Sequence, residues 1–108
     1  MSTPDLLPGT LDLLILKTLA RGPLHGYAIA QIIKRTSDEV IIVEEGSLYP
    51  ALQRLWLREW VKAEWRKTET GRRARFYTLT AKGREQLATE LSEYKLMISA
   101  IGRVLQNA

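Results

Sequence analysis

The chain contains no cysteine, which excludes disulfides and thiolate metal sites at once. Its single histidine, His25, leaves a histidine metal cluster or a catalytic triad without the necessary parts. His25 stands where a helix is expected to begin, so a capping or solvated imidazole is the simpler role. No paired nucleophile and base and no glycine-rich phosphate loop is present, so neither an enzyme nor a cofactor is expected. Apolar runs such as Leu13 to Leu16 fall far short of the ~20 residues that span a bilayer. The first residues carry no basic stretch followed by an apolar signal core. No membrane is therefore expected, and the cytoplasm is the expected location. Aromatic residues make up only 7% against 45% hydrophobic overall, a balance that suits a helix-rich domain.

What the chain does have is positive charge in a defined place. Sixteen Lys and Arg against twelve Asp and Glu leave a formal net charge of +4 on 108 residues, enough chain for one modest core. That balance permits nucleic acid without requiring it. Half of the basic residues lie between Lys62 and Arg84, interrupted only by Glu64 and Glu69.

The organising stretch is Glu45 to Leu55. Leu48, Ala51, Leu52 and Leu55 fall at i, i+3, i+4 and i+7, the spacing of one buried helical stripe. The opposite face presents Tyr49, Pro50, Gln53, Arg54 and later Arg58. Ser47 is expected to cap the helix through the amide of Tyr49, because Pro50 has none, which places Pro50 in the first turn. Gln and Arg can pair with purine edges in a major groove, and early hydroxyls can hold phosphates.

The flanking segments supply a frame. Leu6, Leu7 and Pro8-Gly9 read as a lead-in turn, and Thr10 as the cap of a helix to about Ala20 with Leu11, Leu14, Ile15 and Leu19 on one face. Its leucines cover more than half of the helix, which predicts contacts on two sides. Gly22 and Pro23 end it. A second helix begins near Leu24 and turns Ile29, Ile32 and Ile33 inward. Ser37-Asp38-Glu39 reads as a turn and Val40 to Val43 as a strand. Residues 36–46 make a longer connector than a tight repressor turn, as winged members of the helix-turn-helix class show. Alternation of Val61, Ala63 and Trp65 with polar residues, the turn signal Thr68 to Gly71, and Arg73 to Leu79 predict a hairpin tipped by Arg72, Arg73 and Arg75. Arginines of this kind suit the negative potential of a narrow minor groove. Thr80 is expected to cap a final helix in which Leu87, Leu91, Tyr94, Ile98, Ile101 and Leu105 form an unbroken heptad seam. So long a seam is expected to pair with a second chain, together with Leu11 and Leu14 of the first helix.

These residues resemble the PadR family of bacterial transcriptional regulators, in its compact branch. The resemblance rests on Leu24-His25-Gly26-Tyr27, Glu44 to Leu52, Arg54-Leu55, Gly71-Arg72-Arg73 and Tyr77 to Gly83, and runs from about Gly9 to Leu87. It implies a mainly α fold with a small β-hairpin (α+β). A winged helix-turn-helix would occupy residues 1–80 and a dimerisation helix residues 81–108, forming a homodimer that represses from an imperfect palindrome. The implied DNA-contacting set is Tyr27, Ser47, Leu48, Tyr49, Pro50, Gln53, Arg54, Arg72, Arg73 and Arg75, with Leu48 shared with the buried stripe. Such regulators often release DNA on binding a small aromatic molecule. The chain departs from the family at residues 56–60, Trp-Leu-Arg-Glu-Trp, where Glu59 replaces a helix-ending glycine. A left-handed glutamate costs roughly 1 kcal/mol, or the helix ends differently. A second function class stays open, a ligand- or partner-binding dimer of the same fold without sequence-specific DNA binding, for which Trp56, Trp60, Trp65 and Tyr94 offer surface.

Overall fold

In the computed structural model, which describes residues 9–107, four helices and three strands follow one another. The order is α1 (Thr10–Leu19), β1 (Leu24–His25), α2 (Gly26–Thr36), α3 (Glu45–Leu57), β2 (Val61–Lys67), β3 (Arg73–Leu79) and α4 (Ala81–Asn107). Leu6, Leu7 and Pro8 of the expected lead-in turn lie outside the described residues. The sheet is antiparallel in the order β1-β3-β2, with Leu24 opposite Tyr77 and the hairpin in register from Val61↔Leu79 to Lys67↔Arg73. This is the expected mainly helical winged helix-turn-helix with a long C-terminal helix.

The stripe of α3 forms the centre of the core. Leu48, Ala51, Leu52 and Leu55 meet Ile15, Leu16 and Leu19 of α1, Ile29 and Ile33 of α2, and Val61, Tyr77 and Leu79 of the hairpin. Helix α1 touches α2, α3, α4 and β3 within the chain. Leu13 and Leu16 belong to its buried set, whereas Leu11 and Leu14 are half-buried against the core.

Several local expectations are corrected. Val40 to Val43 pairs with no strand; Ile41 and Val43 turn toward the core while Val40 and Ile42 face outward. Strand propensity needs a free sheet edge, and on β3 that edge is taken by β1, two residues too short to show a period. Gly9, in the left-handed region at φ 84°, stands at the cap of α1 in place of Thr10. Ser47 is not a cap. Helix α3 begins three residues earlier behind Glu44, whose carbonyl accepts from the amides of Ser47 (3.0 Å) and Leu48 (2.9 Å). Pro50 therefore lies inside the helix, and the carbonyl of Gly46 loses its helical donor. Ile32 is only half-buried.

His25 does cap: its Nδ1 accepts from the amide of Ala28 at 3.3 Å. Thr80 caps α4 in the same manner, its Oγ1 accepting from the Gly83 amide at 2.9 Å and donating to the Glu59 carbonyl at 2.7 Å. Helix α3 ends as a family glycine would end it, although the residue is Glu59 at φ 62°. The Trp60 amide donates to the Leu55 carbonyl (3.0 Å) and the Glu59 amide to that of Trp56 (3.0 Å), the two bonds of a Schellman motif. Gly83 is required by a different constraint. A Cβ there would stand 2.0 Å from the Trp60 carbonyl oxygen and 2.9 Å from Leu79 Cδ1. The start of α4 is thus pressed onto the junction between α3 and the hairpin.

Candidate nucleic-acid interface

Because the stripe of α3 is inside, the remaining faces of the helix are outside. Ser47, Tyr49, Pro50 and Gln53 are all exposed there. The Tyr49 ring lies over Gly26, where an added Cβ would approach its hydroxyl and ring to within 3.0–3.2 Å, so the missing side chain on α2 lets Tyr49 settle across the helix-turn-helix. Tyr27 is exposed in the first turn of α2 and stacks with His25 at 6.4 Å, while Phe76 meets that imidazole edge-on at 5.2 Å.

One member of the DNA-contacting set is placed otherwise than expected, and a second has a partner the sequence did not reveal. Leu48 is 1% exposed and belongs to the core, so no groove edge can touch it. Arg54 is exposed, and one N–H of its guanidinium donates to Asp12 Oδ1 at 2.9 Å. Asp12 is buried on α1, where this charge-assisted bond satisfies its carboxylate. Glu90 of α4 lies close to this pair. Burial pushes its carboxyl above the ordinary value of 4.5; Gln86 and Arg58 oppose that rise, and the carboxylates of Asp12 and Glu93 add to it. Its Oε2 atom is buried without a hydrogen-bond partner among the described residues.

The hairpin carries the basic residues forward. Its tip closes through the Thr68 amide to the Arg72 carbonyl (2.7 Å) and the Gly71 amide to the Thr68 carbonyl (2.9 Å), with Gly71 at φ 85°. Arg72 and Arg73 are exposed and Arg75 is half-buried. Among the described residues the guanidinium hydrogen bonds come from Arg54, Arg66 and Arg103, leaving the donors of these three wing arginines uncommitted. Two of them lie over aromatic rings. Arg73 lies 5.7 Å from the ring centre of Trp65, and Arg75 lies 5.5 Å from that of Trp56 and 5.9 Å from that of Tyr77. Burial raises the Tyr77 phenol from its ordinary value of 10.0, against the pull of Arg75, while Tyr49 adds slightly to the rise. Trp65 continues the inward face of β2 yet is 61% exposed, because the hairpin runs past the end of the core. The role of Trp56 and the Asp12–Arg54 bond were not legible in the sequence. The only signal for the first was an aromatic residue at a position where the family carries charge.

The expected pairing seam divides in two. Leu87 is corrected: it is buried in the chain's own core, and Leu91 packs half-buried beside it. Beyond them Tyr94, Ile98, Ile101 and Leu105 are exposed, joined by Met97 and Val104 on the same side of α4. Among the described residues no helix is long and apolar enough to cross a membrane, and no group of three His, Asp or Glu could hold a metal ion.

A helix carrying hydrogen-bonding side chains beside a basic, stacked hairpin defines a winged helix-turn-helix module built for nucleic acid. Residues 15–89 match the transcriptional regulator PadR-like family, and the chain belongs to that family. It is thus of a class of DNA-binding transcriptional regulators and not of enzymes. A transcriptional regulator of known structure from Clostridium thermocellum is similar at a TM-score of 0.80 and 29% identity, covering 88% of this chain and 92% of that one. A PadR family transcription regulator from Clostridium difficile gives a TM-score of 0.76 at 26% identity, over 90% and 99% of the two chains. An uncharacterised protein of Lysinibacillus sphaericus is 28% identical over 94 residues, 87% of this chain and 86% of its own. A 37.1 kDa protein in a Streptomyces fradiae transposon is 41% identical over 97 residues, and the match spans only 26% of its length.

Proposed function

We propose that the chain is a homodimeric repressor of the cytoplasm that binds an imperfect palindrome and is released by a small aromatic effector. The observation that carries the reading is the joint exposure of Tyr49, Pro50 and Gln53 on α3 beside the uncommitted guanidinium groups of Arg72 and Arg73. In this reading α3 enters the major groove, where Gln53 reads base edges and Ser47 and Tyr49 hold the backbone. The wing lies over the flanking phosphates and supplies salt-dependent affinity. Residues 1–80 make these contacts. Residues 81–108 join two copies through Tyr94, Ile98, Ile101 and Leu105, since a chain that exposes such a seam gains by covering it. Two-fold symmetry then sets the recognition helices about 34 Å apart, one turn of DNA.

Selection of duplexes from a random pool at physiological salt tests this. An inverted repeat with half-sites about 10 bp apart is the expected product. Enrichment of nothing, with binding to any duplex at low salt, would leave the wing's charge as the sole source of affinity. Planar aromatic compounds are then screened for release of the selected duplex.

A further inference from the structure

The recognition helix and the wing are separate elements, and a duplex grips both only if their relative angle is held. Beyond the core that the two share, a side-chain contact joins their exposed surfaces. The guanidinium of Arg75, on β3, lies 5.5 Å from the ring centre of Trp56, on α3, and 5.9 Å from that of Tyr77 beside it on the same strand. The contact places the cation over the ring and uses none of the guanidinium's N–H donors in a hydrogen bond, so they stay available for a phosphate. Trp65 stands opposite Arg75 in the hairpin register and carries Arg73 at 5.7 Å, so the aromatic and basic groups continue toward the tip. Trp56 is 41% exposed and lies outside the core cluster, so filling the interior does not account for it.

The geometry points to Trp56 as a positioning residue: its stacking on Arg75 sets the wing's angle to the recognition helix and aims the Arg75 guanidinium at the DNA backbone. This rests on the DNA-binding reading above and names the residue that couples its two halves.

The test is a double-mutant cycle on affinity for the selected duplex, using the full chain. Trp56→Leu keeps apolar bulk and removes the π face, and a contact of the strength found at exposed sites predicts about two- to fivefold weaker binding. Trp56→Phe keeps a ring face and should bind close to wild type. Arg75→Ala should weaken binding further, because it also removes a phosphate donor, and should lower the slope of log affinity on log salt by about one. In the Arg75→Ala background, Trp56→Leu should change nothing more. Thermal melting of each variant establishes that the fold is intact. Trp56→Leu indistinguishable from wild type, or effects of the two substitutions that simply multiply, would overturn the proposal while leaving DNA binding standing. A wild-type chain that selects no duplex sinks the operator reading, and this inference with it.

Discussion

Replacing Glu59 by glycine should make the protein more stable, although it removes an ion pair. Glu59 sits at φ 62° to close the Schellman motif, and a residue with a Cβ is held there at a cost of about 1–2 kcal/mol. Glycine has no such cost, but its freer unfolded chain gives back about 0.4–1 kcal/mol. The carboxylate's contact with Lys82 is long, 3.8 Å, between side chains that are 82% and 60% exposed, and is worth at most a few tenths of a kcal/mol. The balance is a gain of about 0.5–1 kcal/mol, or roughly 2–4 °C in melting temperature for a chain of this size. The assay is thermal and urea unfolding at one fixed protein concentration, since association alters apparent stability. An unchanged urea slope would show that stability had changed without a change in the surface exposed on unfolding. Glu59→Ala is the control: it loses the same carboxylate and keeps the left-handed Cβ, so it should melt at or just below wild type. If Glu59→Gly melted no higher than Glu59→Ala, the left-handed glutamate would not be strained and the reasoning would fail.

Gly83→Ala should be among the most damaging single substitutions, about 3 kcal/mol, because its Cβ would meet backbone at 2.0 Å and cannot be accommodated by a rotamer change. Urea unfolding checks the loss, and a change near zero would mean that α4 shifts freely on the hairpin base. Glu90→Gln should flatten part of the pH dependence of stability. The folded carboxyl binds its proton more tightly than the unfolded one, so the stability it contributes is full below the ordinary value of 4.5 and is lost as pH rises through the raised folded value. The variant should accordingly gain most on wild type near neutral pH, read from melting temperatures across pH 4 to 8; a constant difference across that range would refute it. Ile101→Asp, in the exposed half of the α4 seam, should give monomers in sedimentation and lose the selected duplex while keeping its helical signal. Dimers that persisted would remove this face from the proposed subunit contact.

The period of Leu48, Ala51, Leu52 and Leu55 was enough to place α3 and its buried side, since side chains on one helical stripe share one environment whatever surrounds them. The alternation of Val61 to Trp65, the turn at Gly71 and the cap at Thr80 were legible for the same reason: each is a local rule satisfied within a few residues. Val40 to Val43 failed because a strand needs a partner, and sheet edges are decided elsewhere in the chain. Ser47 failed as a cap because α3 had room to begin at Glu45.

What the sequence determined alone was therefore which stretches fold and which of their faces are apolar, together with the family motifs that point to DNA. Only the tertiary structure decided what the polar side chains do. It tied the exposed Arg54 to the buried Asp12, placed Trp56 under Arg75, and split the α4 seam so that Leu87 serves the chain's own core while Ile98 and Ile101 stay uncovered. The physical reason is range. Periodicity and capping are set by neighbours within a turn or two, whereas an ion pair or a stacked ring needs two elements distant in sequence to arrive at one place, and packing alone settles that.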